Sequence, residues 1–230
     1  MTDSAETWEG PVVDEPVGMP VPAAKSRFIG RVWNVNTDTV QIGDQTVDRD
    51  YVVHSGAVAI IALDDQERVY LIRQYRHPVG MYLFEPPAGL IDKAGEEALA
   101  TAKRELAEEA GLEAADWSLL VDYFTSPGGM SESIRIYLAR SVRELPDGRI
   151  HTGEAEEVEL PGVWLPLDEA VGKVLDGSIH NTSAVVGLLA AARARDEGWK
   201  SLRAPDTVWD TRDWMIEMGR VHLGRDHLAD

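Results

Sequence analysis

Glu96-Glu97-Ala98-Leu99-Ala100-Thr101-Ala102-Lys103-Arg104-Glu105-Leu106-Ala107-Glu108-Glu109-Ala110-Gly111 is the stretch on which the reading of this chain turns. Leu99, Ala102, Leu106 and Ala110 recur at steps of three and four, which predicts one apolar face of a helix over 96–110. Gly111 supplies the stop, because glycine readily takes the left-handed conformation that ends a helix. Thr101, Glu105, Glu108 and Glu109 fall on another face. Glu105 and Glu109 stand one turn apart, and like charges at that spacing cost a helix roughly 0.2–0.5 kcal/mol per pair. Acids near a helix C-terminus also oppose the macrodipole. A hard cation reverses both penalties, and oxygen-only ligands point to Mg²⁺ or Mn²⁺. A solvated acidic face, with Arg104 pairing Glu108 one turn on, accounts for the same letters in isolation. Pro86-Pro87-Ala88-Gly89, just upstream, tips the balance, since a Pro/Gly corner there brings backbone oxygens toward the same point.

Composition bounds what such a site can serve. The 230 residues carry 40 acids against 22 lysines and arginines, a formal net charge of -18. A chain of that sign repels phosphate backbones, so nucleic acid is not an expected partner. A phosphorylated small molecule then needs local cations, either metal ions or a few placed arginines. With no cysteine, disulfides and thiolate metal sites are excluded. The opening Met1-Thr2-Asp3-Ser4-Ala5-Glu6 lacks the basic and apolar regions of a leader, and no run of apolar residues is long enough to span a membrane. A cytoplasmic location is expected.

Outward from the helix, the chain divides into four parts. Residues 1–25 are acidic and hold four prolines without periodicity, which predicts a mobile extension. Residues 26–50 alternate polar and apolar, with Gly43-Asp44 between two runs, and predict an N-terminal antiparallel β-segment. Residues 51–204 form the main domain. There Gly56 to Leu63 is a continuous apolar run that suits a strand buried on both faces. Asp64 to Glu67 is a turn, and Val69 to Ile72 returns. Ser133 to Ala139 and Val163 to Leu165 are further strands, and 167–175 and 182–196 are helices. Residues 205–230 contain Trp209, Trp214 and Met215, too apolar for a free tail, and are expected to pack on the core or on a second subunit. Mixed strands among a few helices give an α+β class with an α/β/α layering.

At this point a resemblance adds to the reading. Gly89, Glu96 and Arg104-Glu105-Leu106-Ala107-Glu108-Glu109-Ala110-Gly111-Leu112 resemble the Nudix box, G-x5-E-x7-R-E-U-x-E-E-x-G-U with U aliphatic. Every fixed residue is present. Six residues rather than five separate Gly89 from Glu96, and the extra one falls in the loop near Gly95, which leaves the helix register intact. The resemblance implies a Nudix-type α/β/α sandwich with a mixed β-sheet. It implies that Glu105 and Glu109 are metal ligands, that Glu108 is a ligand or its close partner, and that the carbonyl of Ala88 joins them. Gly89, Glu96, Arg104 and Gly111 are implied to be structural. The implied chemistry is metal-assisted attack of water on a nucleoside diphosphate.

Further segments resemble the ADP-ribose pyrophosphatases of that family. Pro127 lies 16 residues after Gly111. Gly128, Gly129 and Met130 beside it are implied to lie against the terminal ribose. Arg73-Gln74-Tyr75-Arg76 and Phe84-Glu85-Pro86 match the same group, so Arg73, Arg76 and Glu85 are expected at the substrate, with at least one arginine on the diphosphate. Glu154-Ala155-Glu156-Glu157 resembles the acidic loop that supplies the catalytic base, with Glu154 the first choice and Glu156 and Glu157 the second. Trp33, Tyr51 and Phe28 are candidates for stacking on adenine, Trp33 foremost. The N-terminal β-segment needs a surface to cover it, and the resemblance implies a homodimer that exchanges it. Other readings keep the box and change the role: hydrolysis of another nucleoside diphosphate sugar or a dinucleoside polyphosphate, or a non-catalytic ADP-ribose-binding regulator.

Overall fold

The computed structural model describes residues 7–93, 95–149 and 160–222. An antiparallel sheet of three strands comes first: β1 (Ala23–Ile29), β2 (Asn34–Ile42) and β3 (Gln45–Val53). The β2–β3 connection is the two-residue turn Gly43-Asp44, with Gly43 at φ +57. A primed hairpin turn needs that positive φ. The first strand begins at Ala23, inside the segment expected to be an extension.

Next come β4 (Ala57–Ala62), β5 (Arg68–Arg76), β6 (Met81–Glu85) and β7 (Ala88–Leu90), then α1 (Ala98–Ala110), β8 (Leu112–Phe124) and β9 (Ser133–Glu144). β10 (Gly162–Pro166), α2 (Leu167–Leu175), α3 (Thr182–Asp196) and α4 (Asp210–Glu217) complete the order. The central sheet runs β7-β4-β9-β8, with β4 and β9 parallel and the other pairs antiparallel. A smaller antiparallel sheet runs β10-β5-β6.

Strand β4 shows why the layering arises. All six residues are buried, and they alternate between two cores. Ala57, Ala59 and Ile61 join Leu167, Ala184, Leu188 and Ala191 of α2 and α3. Val58, Ile60 and Ala62 join Ala102 and Leu106 of α1. Successive side chains of a strand point to opposite faces, so a continuous apolar run demands a helix on each side. The mixed sheet is thus sandwiched between α1 and the α2–α3 pair, the α/β/α arrangement expected. Gly187 lets α3 close on the sheet, because a Cβ there would stand 2.7 Å from Ile61 Cδ1.

Helix α1 starts at Ala98, two residues later than its periodicity suggests. Glu97 is extended (φ -69, ψ 143), and the side chain of Glu96 bonds to Thr101 and Arg104. Residues 205–222 pack on the core: Trp209 joins the α1-side cluster, and Arg135 donates to the carbonyl of Thr207 at 2.6 Å.

Candidate active site

The corner before α1 and the acidic face of the helix meet. Strand β7 pairs with β4 (Ala59 opposite Ala88, Val58 opposite Gly89), which fixes the corner against the sheet. The Ala88 N–H donates to Glu109 Oε2 at 2.8 Å. Gly89 lies so close to the Glu105 carboxylate that any Cβ would collide with it. A side chain at position 89 would therefore push the Glu105 carboxylate from its place at the corner. The extra loop residue is absorbed in a turn closed by the Glu96 N–H on the Lys93 carbonyl at 3.1 Å, with Gly95 at φ +77. Gly111 ends the helix at φ +65, and its N–H bonds the Ala107 carbonyl.

Arg104 organises the acids around it. Its guanidinium bonds both oxygens of Glu96 at 3.1 Å, Glu105 Oε1 at 2.6 Å and Glu108 Oε2 at 2.8 Å. Burial opposes the arginine's charge, but these carboxylates more than offset it and hold the cation firmly protonated. Arg104 in turn keeps the Glu96 carboxyl below its ordinary range. The two glutamates facing the corner behave differently. Burial pushes the Glu105 carboxyl up to about 7, despite Arg104. Burial likewise pushes Glu109 up to about 8, against the Ala88 N–H, with Glu105 adding to the rise. Two buried carboxylates one turn apart are thus under-compensated by protein cations alone.

Among the described residues, no three His, Cys, Asp or Glu side chains gather to hold a metal unaided. The donor set suits a hard divalent cation that takes remaining oxygens from water and phosphate. Glu105 and Glu109 provide adjacent carboxylates at the corner, and their burial costs fall when a cation joins them. Glu108 is turned to Arg104, and Ala88 is engaged through its N–H.

Strand parity separates the two arginines. Arg73 and Tyr75 lie on one face of β5, opposite Phe84 and Tyr82; Arg76 lies on the other, with Ile72 and Glu85. Arg73 stacks over Tyr82 at 4.0 Å from the ring centroid. Arg76 clasps buried Glu85 through Nε–Oε1 at 2.9 Å and Nη2–Oε2 at 2.6 Å, and its charge acts on Glu109. Gly128, Gly129 and Met130 form a turn tied to the end of β3: the Gly129 carbonyl accepts the Val52 N–H at 2.9 Å. Trp33 is 44 % exposed at the start of β2. Glu154, Glu156 and Glu157 fall outside the described residues. The chain on either side of that segment is fastened by Arg149, which donates to the Glu108 carbonyl at 3.3 Å and the Leu160 carbonyl at 3.2 Å. Sequence reasoning missed Arg149. No periodicity marks an arginine that works through backbone carbonyls.

Comparison with known proteins follows the same lines. A NUDIX domain matches residues 53–184. The chain is 43 % identical over 191 residues to an ADP-ribose pyrophosphatase of Mycobacterium tuberculosis, covering 83 % of this chain and 90 % of the relative. It is 35 % identical over 162 residues to a methanol dehydrogenase activator of Bacillus methanolicus, covering 70 % and 85 %. A crystal structure of an ADP compounds hydrolase superposes with a TM-score of 0.64 at 23 % identity, covering 91 % of this chain and all of that one, which bears on the fold.

Proposed function

The chain belongs to the NUDIX hydrolase family, and from that premise we infer that it hydrolyses the diphosphate bond of ADP-ribose to AMP and ribose 5-phosphate. The observation that carries the reading is the buried Glu105–Glu109 pair turned onto Ala88 and Gly89, in a chain so similar to ADP-ribose pyrophosphatases. The reaction depends on a divalent cation, and we propose Mg²⁺ or Mn²⁺. Glu105 and Glu109 would hold it, with Glu108 and the Ala88 carbonyl in support. A cation bound there would neutralise the diphosphate and ease attack of water on phosphorus.

The protein's own groups do the rest. Arg76 shares the face of β5 that looks toward Glu109, so it is the arginine we place on the diphosphate, with Glu85 setting its direction. Arg73, on the opposite face, contributes from the aromatic side. Gly128, Gly129 and Met130 border the terminal ribose, and Trp33 stacks on adenine. Glu154 takes the proton from the attacking water, with Glu156 and Glu157 as the other candidates. The tether through Arg149 supports this, because it fastens both flanks of residues 150–159 near the C-terminal end of α1.

We further propose a cytoplasmic homodimer that takes a small nucleoside diphosphate and neither nucleic acid nor a membrane. Among the described residues, no helix is long and apolar enough to cross a membrane. Strand β1 exposes Phe28 and Ile29 on a sheet edge, and a second copy would cover them.

Chromatography of an ADP-ribose and Mg²⁺ incubation tests the substrate: AMP and ribose 5-phosphate are expected, and preference for another nucleoside diphosphate sugar sinks the assignment. For the base, Glu154→Gln is expected to lower kcat by roughly 10²–10⁴-fold with little change in KM. A larger loss at Glu156 or Glu157 moves the role there. Light scattering that gives a monomer at micromolar concentration refutes the dimer.

A further inference from the structure

His54 follows β3, far in sequence from the glutamate helix, and none of the chemistry above uses it. It is 2 % exposed. The ring Nδ1 accepts the Gly56 N–H at 3.0 Å. A nitrogen that accepts carries no proton, so the neutral imidazole keeps its hydrogen on Nε2. Nε2 faces the carboxylate of Glu132, with Oε1 3.3 Å away. Burial favours this neutral form by lowering the imidazole pKa, against the pull of Glu132. Gly56 is itself fixed: at φ +80, any side chain there would be strained and would meet the Arg212 guanidinium.

Around this ring three separate parts of the chain come together. Trp33, at the entry to the N-terminal sheet, lies 5.8 Å from the imidazole centroid at a 38° tilt. The segment 125–132 meets His54 twice: the Glu132 carboxylate faces Nε2 at 3.3 Å, and Ser131 Oγ accepts the His54 backbone N–H at 3.0 Å. Glu132 also receives the Thr125 hydroxyl at 2.7 Å, which closes the base of that loop. The C-terminal segment joins through the His222 N–H, which donates to the His54 carbonyl at 3.3 Å. An ordinary core histidine satisfies its own nitrogens. This one links the two parts that the preceding reading assigns to adenine and to the terminal ribose.

We infer that His54 is a positioning residue for substrate recognition, holding Trp33 and the 125–132 loop in a fixed relation so that both ends of one nucleoside diphosphate ligand are met at once. The inference rests on the assignment of Trp33 and Gly128–Met130 to the substrate. It places His54 apart from the reacting phosphorus, so its loss weakens binding and spares the chemical step.

Two substitutions dissect the ring. Asn can offer its carbonyl near the place of Nδ1 and keep the Gly56 bond, while losing Glu132. Gln can offer its amide near the place of Nε2 and keep Glu132, while losing Gly56. Both remove the ring beside Trp33. His54→Asn and His54→Gln are expected to raise KM for ADP-ribose roughly three- to tenfold, with kcat within about twofold of the parent. In a Trp33→Ala background, His54→Asn is expected to add less than about twofold, because contacting residues do not act independently. Glu132→Ala should raise KM, and Glu132→Gln, which keeps an oxygen facing Nε2 and the Thr125 bond, should largely restore it. An unchanged KM in both folded His54 variants overturns the inference. So do KM effects of His54→Asn and Trp33→Ala that simply multiply. If neither His54 variant folds, a parental KM in Glu132→Ala overturns it instead. Running the panel on GDP-mannose as well keeps the two ideas separable. A parent that prefers GDP-mannose overturns the ADP-ribose assignment, and the same KM comparison on GDP-mannose then decides the role of His54. Cleavage of neither compound overturns both.

Discussion

Helices α1 and α3 flank one sheet, and only α3 is made as a stable helix should be. At its start the Asn181 side chain accepts the Ala184 N–H at 2.9 Å. Its last turn carries Arg193 and Arg195, which suit the negative end of the dipole. Its buried face is Ala184, Leu188 and Ala191. Helix α1 departs from this at its N-cap, in its last turn and on part of its buried face. Glu97 at its N-cap makes no side-chain capping bond, and its last turn carries acids in place of bases. Glu105 and Glu109 are among the residues it buries. Departures from good helix chemistry that cluster on one face mark where stability has been given over to function.

The largest expected effect comes from neutralising that face. Glu109→Gln should cut turnover by on the order of a thousandfold, because cation-mediated charge stabilisation supplies several kcal/mol of the barrier reduction. The same change should raise the melting temperature of the metal-free protein by roughly 2–4 °C for each kcal/mol of burial cost relieved. Full activity with saturating Mg²⁺ would remove Glu109 from the site. A variant on the other helix should show the opposite pattern. Leu188→Ala is expected to lose about 2–5 kcal/mol in urea denaturation, with kcat preserved below the transition. Lost catalysis in folded Leu188→Ala would mean the two faces are coupled.

A third test uses pH. Burial raises Glu105 to about 7 and Glu109 to about 8 in the folded chain, against 4.5 when unfolded. Between those limits the folded state binds more protons than the unfolded one, so the contribution of these groups to stability falls as pH rises. The urea midpoint of metal-free protein should therefore drop between pH 5 and pH 8, and drop less in Glu109→Gln. Added Mg²⁺ should recover more at pH 8 than at pH 5. An equal pH slope in parent and variant would show that Glu109 is not held protonated. The smallest effect belongs to the cap of α3: Asn181→Ala should cost about 1 kcal/mol with no change in kcat or KM.

Much of this was legible in the letters. The run at Gly56 to Leu63, the turn at Gly43-Asp44, the helices at 167–175 and 182–196, and the register of the glutamate helix are local patterns, and each stands where its periodicity puts it. Strand β8 was not foreseen, although Trp117, Leu119, Val121 and Tyr123 alternate across it. Asp116, Ser118 and Asp122 fill the other face, but Leu120 breaks the alternation, at the point where the pairing shifts register between Leu119 and Val121. Short β6 and β7 carry too few residues to show a period.

The sequence by itself determined that two glutamates one turn apart follow a Pro/Gly corner, because helical spacing is a property of neighbours along the chain. Family membership was legible in the same stretch. Only the tertiary structure decided what those glutamates meet. Pairing of β7 with β4 seats Gly89 under Glu105 and aims the Ala88 N–H at Glu109, and neither contact is encoded by spacing. The pairing of β5 with β6 likewise sent Arg73 and Arg76 to opposite faces, though four letters had made them look alike. The junction at His54 joins residues 33, 132 and 222, whose separation along the chain leaves no local signal. Such contacts follow from sheet register and burial, which act between distant segments only after the chain has folded.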